Sequence, residues 1–190
     1  GKGEKSIRTN WRPITLLPVD YKIFAKIFFN RLKIPAQKFI DSDQSCSLPD
    51  RNIRHGIFTI FSVIEKVVSS KENGLILSVD QKSAFDIVEW EYIFRCLKYF
   101  GLGDNFLKWM KIIYNPGKVK SCISVNAYLS RFFPISKGLR QGCPLSPLLY
   151  IIVAETFANK IRSDPEVKGI FLGNQILKLN HYADDMNFFL

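Results

Sequence analysis

The sequence predicts an α+β fold, and three observations carry that prediction. Apolar residues recur at helical spacing in several segments, among them 20–33, 53–68 and 146–162. Between the helical segments lie short apolar or alternating runs, 75–79, 119–125, 131–135, 169–172 and 175–179, that read as strands. No internal repeat, low-complexity tract or linker interrupts the 190 residues, which is enough chain for one domain or two closely packed subdomains.

Taken in order, residues 1–10 are polar and basic and read as a mobile arm or a strand end. Asn10 to Pro18 is extended, because each of Pro13 and Pro18 biases its predecessor away from helix. Asp20 is placed to cap a helix to about Lys33, with Ile23, Phe24, Ile27, Phe28 and Leu32 as its core face. Ile40 to Asn52 reads as a loop. Ile53 to Val68 follows as an amphipathic helix whose apolar face is Ile53, Ile57, Ile60, Phe61, Ile64 and Val68. After the turn at Lys71–Gly74, the run Leu75–Val79 fits a buried central strand that delivers Asp80 at its C-terminal end. Trp90–Phe100 is helical and stopped by Gly101, and Asp104 caps the next helix. Val119–Val125 is a strand for Arg131–Ile135 to pair with. Ser146 and Pro147 open a helix to about Arg162. Gly169–Leu172 and Gln175–Leu179 form a hairpin or ribbon. It leads to Tyr182-Ala183-Asp184-Asp185, read as a hairpin tip.

Composition narrows the function. The apolar fraction of 47% supports a real core, and the net charge of +10 favours a polyanionic partner, most commonly nucleic acid. A basic membrane-surface protein is the alternative, and no sustained basic amphipathic helix supports it. The run Leu148–Ala154 is far short of the roughly 20 residues of a membrane span. Residues 1–5 lack the apolar core of a signal peptide. Cys46, Cys96, Cys122 and Cys143 are scattered without a CxxC pair. This disfavours a zinc site and fits a reducing intracellular compartment better than a disulfide scaffold.

Three stretches carry chemistry. Asp184 and Asp185 stand side by side among apolar residues, where mutual repulsion requires an offsetting gain such as a divalent cation; a turn with two solvated charges is the other reading. Asp80 ends a strand. If that strand neighbours the hairpin, three carboxylates surround one point and suit magnesium, which takes oxygen ligands and substrate phosphates. Two such ions about 3.5–4 Å apart can lower a hydroxyl pKa and stabilise a pyrophosphate leaving group. Phe85, five residues beyond Asp80, closes a nucleotide pocket or simply packs in the core. The loop Lys137-Gly138-Leu139-Arg140-Gln141-Gly142-Cys143 combines glycines that admit close backbone approach with basic side chains. It presents Gln141 to a base or is an ordinary charged loop.

These blocks together resemble the reverse transcriptases of non-LTR (LINE-type) retrotransposons. The matching residues are Asn10 to Leu17, Tyr21 to Ile23, Asn30 to Lys33, Ser78 to Asp80 with Ala84 to Asp86, Lys137 to Leu149, and Tyr182 to Asp185. The resemblance spans nearly the whole chain. It implies a right-hand polymerase with fingers (1–73 and 115–143) and palm (74–114 and 144–190), an antiparallel palm sheet packed on helices, and no thumb. By resemblance Asp80, Asp184 and Asp185 are the catalytic, metal-binding triad for two magnesium ions, with manganese an alternative. Arg12, Phe85, Gln141 and Gly142 bind nucleotide, with Phe85 selecting deoxyribose and Lys5 a loosely aligned helper to Arg12. Lys137, Arg140, Ser146 and Tyr182 contact template or primer. The implied partners are an RNA template, a DNA primer and dNTP, with no membrane. The implied location is an intracellular ribonucleoprotein, nuclear or cytoplasmic. An RNA-templated RNA polymerase is disfavoured by Phe85, and a non-catalytic nucleic-acid-binding remnant remains the alternative.

Two departures from the family pattern stand out. A Gln-Thr-Gly-Phe-x-Pro-Gly-Arg pattern is replaced by Gln44-Ser45-Cys46-Ser47-Leu48-Pro49-Asp50-Arg51, which puts Asp50 in a turn expected to need positive φ. The chain also ends five residues after Asp185, ahead of where the family continues its palm, primer grip and thumb.

Overall fold

The computed structural model describes residues 4, 7, 11–12 and 14–190. The expected arm at 1–10 is therefore described only at Glu4 and Ile7, and Lys5, Asn10 and Pro13 lie outside the described residues. Helices and antiparallel strands alternate as α1 (Val19–Phe39), α2 (Ile53–Ser70), β1 (Ile76–Asp80), α3 (Ala84–Ile87), α4 (Trp90–Tyr99), α5 (Asp104–Ile113), β2 (Lys120–Ser121), β3 (Ser124–Val125), β4 (Tyr128–Leu129), β5 (Phe133–Pro134), α6 (Ser146–Ser163), β6 (Ile170–Leu172), β7 (Gln175–Leu177), β8 (Leu179–Tyr182) and β9 (Asp185–Phe189). Among the described residues no helix is long and apolar enough to cross a membrane.

The main sheet is antiparallel in the order β1-β9-β8. Alternation along β9 divides its side chains between two cores. Met186 and Phe188 face the large core built with α1, α4, α5 and α6. Phe189 faces a smaller one with Val63 of α2 and Ile170 of β6. The strands β2 to β5 form a long hairpin, with β2 paired to β5 and β3 to β4. Its tip is Asn126 and Ala127, both at positive φ, as a two-residue hairpin turn requires.

Several expectations are corrected. Asp20 does not cap α1; Pro18 holds the cap position and Asp20 lies inside the first turn, where its charge still suits the helix dipole. The helix also runs past Lys33 and through Pro35 to Phe39. Its buried stripe is Ala25, Phe28, Leu32 and Ala36, so Ile23 (58% exposed) and Ile27 (46%) face outward. The two alanines explain the rotation, because small side chains let a helix approach its neighbours more closely. In α2 the inward stripe is Ile60, Val63 and Val67. The side chains of Ile53, Ile57, Phe61, Ile64 and Val68 are exposed. Asp104 is the first residue of α5, and Gly103 occupies its cap.

The strand β1 is an edge strand, with Leu77 and Val79 exposed, rather than a buried central one; β9 takes the centre. The segment Gln175–Leu177 pairs with β6, so the strand leading into the aspartates is Leu179–Tyr182. Asp185 is the first residue of β9, which leaves Ala183 and Asp184 as the turn.

Candidate active site

Antiparallel pairing of β1 with β9 sets Asp80 opposite Asp185, and the β8–β9 turn puts Asp184 beside them. Asp80 and Asp185 are exposed and Asp184 is half-buried. The Asp185 carboxyl is pushed above the usual carboxylate range by desolvation, then by the negative charges of Asp184 and Asp80; Arg12 acts in the opposite direction. The Tyr150 phenol on α6 is raised by burial and by the same three carboxylates. Three acidic groups thus share one electrostatic neighbourhood, with a guanidinium at its border. Oxygen-only donors at this charge density suit a hard divalent cation. The three carboxylates are splayed. Among the described residues, the trio whose ligand atoms all lie within 4.8 Å is a different one, Asp43, Glu155 and His181.

A cleft of about 520 Å³ opens beside the aspartates. It brings together Arg12, Asp80, Phe85, Gln141, Gly142 and Asp184 from four separate stretches of sequence. Arg140 and Ser146 also line it, whereas Lys137, Tyr182 and Asp185 do not. Lys137 and Tyr182 are exposed outside it. The loop 137–142 is docked on the segment after β1. Gly138 N–H donates to Val88 O at 2.7 Å, Leu139 N–H to Phe85 O at 2.7 Å, and Trp90 Nε1 to Gly138 O at 2.8 Å. Gly138 has φ +90, and a β-carbon there would lie 3.0 Å from Asp86 O, so the close approach needs glycine.

Phe85 stacks on Tyr150, centroids 4.8 Å apart and planes at 16°. Tyr150 donates to Gln81 Oε1 at 2.6 Å, which anchors the stack to the end of β1. Gln141 Nε2 donates to Asp86 Oδ1 at 3.1 Å, and its carbonyl accepts from Thr15 N–H at 2.9 Å. The Arg140 guanidinium turns inward, donating to Tyr21 Oη at 2.8 Å and Ile113 O at 2.9 Å and packing over the rings of Tyr21 and Tyr114. Ser146 lines the cleft and is itself 1% exposed.

Residues 2–190 match the family described as reverse transcriptase (RNA-dependent DNA polymerase). The chain belongs to the reverse transcriptase family. It is 33% identical over 97% of its length to the transposon TX1 uncharacterized 149 kDa protein of Xenopus laevis, and covers 14% of that relative. It is 27% identical over 93% of its length to the Pol polyprotein from the type-1 retrotransposable element R2 of Nasonia vitripennis, and covers 16% of it. The chain therefore spans less than a fifth of either relative's length. With these relatives the motifs identify a reverse transcriptase segment of the non-LTR type.

In this reverse transcriptase segment the turn carrying Asp184 is held by side chains that motif reading passed over. Gln44, 0% exposed, accepts through Oε1 from Ala183 N–H at 3.1 Å and from Cys46 N–H at 2.9 Å. Its Nε2 lies 3.0 Å from His181 Nδ1, and His181 Nε2 lies 3.1 Å from Asp43 Oδ1. Arg162 bridges the two acids of this cluster, pairing with Asp43 at 2.6 Å and with Glu155. Arg51 donates to the carbonyls of Ile40, Asp41 and Gln44, which fixes the loop. Gln44 and Arg51 bound the stretch 44–51 compared with the family pattern, so their positions were visible in sequence. Their hydrogen-bond partners, up to 139 residues away, were not.

Proposed function

We propose that this chain supplies the nucleotide-binding and catalytic portion of an RNA-directed DNA polymerase from a non-LTR retroelement. The observation that carries the reading is the cleft that gathers Arg12, Asp80, Phe85, Gln141, Gly142 and Asp184 beside Asp185. In this reading 1–73 and 115–143 are fingers, and 74–114 and 144–190 are palm. The partners are an RNA template, a DNA primer and dNTP, and the setting is an intracellular ribonucleoprotein.

A primer 3′-hydroxyl attacks the α-phosphate of a dNTP, forming one P–O bond while the bond to the leaving pyrophosphate breaks. Catalysis of this kind is chiefly positioning and electrostatic stabilisation. Asp80 and Asp184 would hold two magnesium ions with Asp185 alongside; when bound, such ions activate the attacking hydroxyl and neutralise charge on the leaving group. The residues themselves account for the rest. Arg12 binds the triphosphate through charge-assisted hydrogen bonds. Phe85, backed by Tyr150, sets a wall against a ribose 2′-hydroxyl. Gly142, at φ +102, lets the loop pass close to the segment before α1, with Thr15 O 3.2 Å from where a β-carbon would stand. Gln141, steadied by Asp86, contributes a donor and an acceptor at the base.

The test is primer extension on an RNA template by a chain extended through the rest of the polymerase domain. The expected result is magnesium-dependent dNTP incorporation that Asp184→Ala reduces by about 100-fold or more. A folded protein that is silent, or whose rate is indifferent to Asp184→Ala, refutes the reading. In that case a primer–template affinity that depends on salt alone identifies a binding remnant.

A further inference from the structure

The aspartates sit on a two-residue turn that is not intrinsically comfortable. Ala183 has φ +54, a region that residues with a β-carbon rarely adopt. Its N–H points out of the β8–β9 ladder, where a hairpin of this length gives it no cross-strand partner. Something outside the hairpin must hold this conformation, since Asp184 follows directly.

We infer that Gln44 is the positioning residue for the catalytic turn. The side chain can be oriented in only one way. One terminal atom faces two backbone donors, Ala183 N–H and Cys46 N–H, so it is the carbonyl oxygen. The other is therefore the amide nitrogen, which donates to His181 Nδ1. That fixes the tautomer: His181 carries its proton on Nε2 and donates it to Asp43, whose other oxygen takes Arg162. Backbone bonds run in parallel with this chain of side chains. Ser45 N–H donates to His181 O at 3.1 Å, and His181 N–H donates to Asp43 O at 3.0 Å. The loop between α1 and α2 thus adds a short parallel bridge to the free edge of β8. Gln44 and His181 are both 0% exposed, so water does not substitute for these partners. A plain packing residue would need none of this directionality, and a leucine or methionine would fill the same space.

The inference rests on the proposed polymerase activity for its catalytic readout, and a second readout is independent of it. Gln44→Met keeps the side-chain volume and removes both the acceptor and the donor. In the extended polymerase it should lower kcat by about 10-fold or more, with KM for dNTP and primer–template affinity within about twofold. In this chain alone, hydrogen exchange at the Ala183 amide should accelerate by about 10-fold or more, while amides of α4 and α6 keep their protection. Unchanged Ala183 exchange in a folded Gln44→Met protein overturns the inference, whatever the activity. So does a kcat loss matched by a proportional rise in KM and general loss of protection, which marks a merely structural role. If the wild-type extended protein is inactive, the function fails, but the exchange measurement still decides whether Gln44 holds the turn.

Discussion

Glu155 lies on α6 with no exposed surface, hydrogen-bonded through one carboxylate oxygen to Asp41 N–H at 3.2 Å and to Arg162. Its second oxygen is buried without a hydrogen-bond partner among the described residues. Desolvation pushes its carboxyl up to about 7, with Arg162 and the Asp41 N–H working against that rise and Asp43 and Asp41 adding to it. The unfolded chain has an ordinary glutamate near 4.5. Because the folded-state pKa is raised, the folded protein binds more protons than the unfolded chain between these values. Stability must therefore fall as pH rises through this window and level off above it. A rise from the ordinary 4.5 to about 7 gives a loss of roughly 2–3 kcal/mol between pH 5 and pH 8, counting partial ionisation at both ends. Glu155→Gln keeps the size and the acceptor for Asp41 N–H but cannot ionise. Other titrating groups are common to both proteins, so the double difference isolates Glu155. Urea unfolding at pH 5 and pH 8 should show wild type losing roughly 2–3 kcal/mol more than the variant across that interval, at equal m-values. Parallel pH profiles, or a wild type that gains on the variant as pH rises, would falsify this assignment of the buried charge.

Asp50 has φ +60 in the turn before Arg51. Asp50→Gly removes strain of about 1 kcal/mol and loses part of that gain to the freer unfolded chain, so a net stabilisation of about 0.5 kcal/mol and a Tm rise of about 1–2 °C are expected by calorimetry. A lower Tm would show that the Asp50 side chain contributes a contact outweighing the strain. Gly138→Ala places a β-carbon 3.0 Å from Asp86 O at φ +90, and should destabilise by about 1–3 kcal/mol in urea unfolding. In the extended polymerase, Phe85→Ala should raise ribonucleotide incorporation relative to deoxyribonucleotide by about 10-fold or more. Tyr150→Ala, which removes the ring stacked behind Phe85, should move the same ratio in the same direction by less; an unmoved ratio in Phe85→Ala rules out the wall.

Helix existence was legible because helical spacing repeats over several turns, as in α1, α2 and α6. Which face turns inward was not. Apolar residues in α1 and α2 wrap more than half of each helix, so periodicity admits two rotations, and the tertiary contacts of Ala25, Ala36 and Val63 choose between them. The run Leu75–Val79 looked central because it is apolar at every position but Ser78. An edge strand with exposed Leu77 and Val79 has the same composition, and only the partner order β1-β9-β8 distinguishes the two. The strand entering the aspartate turn was misplaced because Gln175 to Tyr182 is two strands, broken at Lys178. The Lys178 ammonium leaves the sheet to meet the carbonyls of Arg162 and Asp164.

At the proposed site, the carboxylates and cleft-lining residues that the structure brings together were legible, and their supports were not. Carboxylates, a nearby aromatic and glycines announce themselves by type and spacing, whereas a buried glutamine looks like any other polar loop residue. The stretch 44–51 makes the point. Read as a departure from a glycine-containing pattern, it predicted strain at Asp50, which adopts φ +60; Ser47, where the pattern has phenylalanine, also takes positive φ (+58) and was not anticipated. The strain is tolerated because Arg51 gathers three carbonyls of the same loop, Ile40, Asp41 and Gln44, and the Arg51 N–H closes on Leu48 O. Those bonds are made with backbone atoms, so they do not depend on what stands at 46, 47 or 50. Asp50 in place of a glycine therefore costs local strain without displacing Gln44. The same guanidinium that compensates the strained loop holds the residue that holds the catalytic turn. It follows that Arg51→Lys, which keeps the charge but cannot span three carbonyls, should loosen the Ala183 amide in hydrogen exchange as Gln44→Met does, whereas Asp50→Gly should leave it protected.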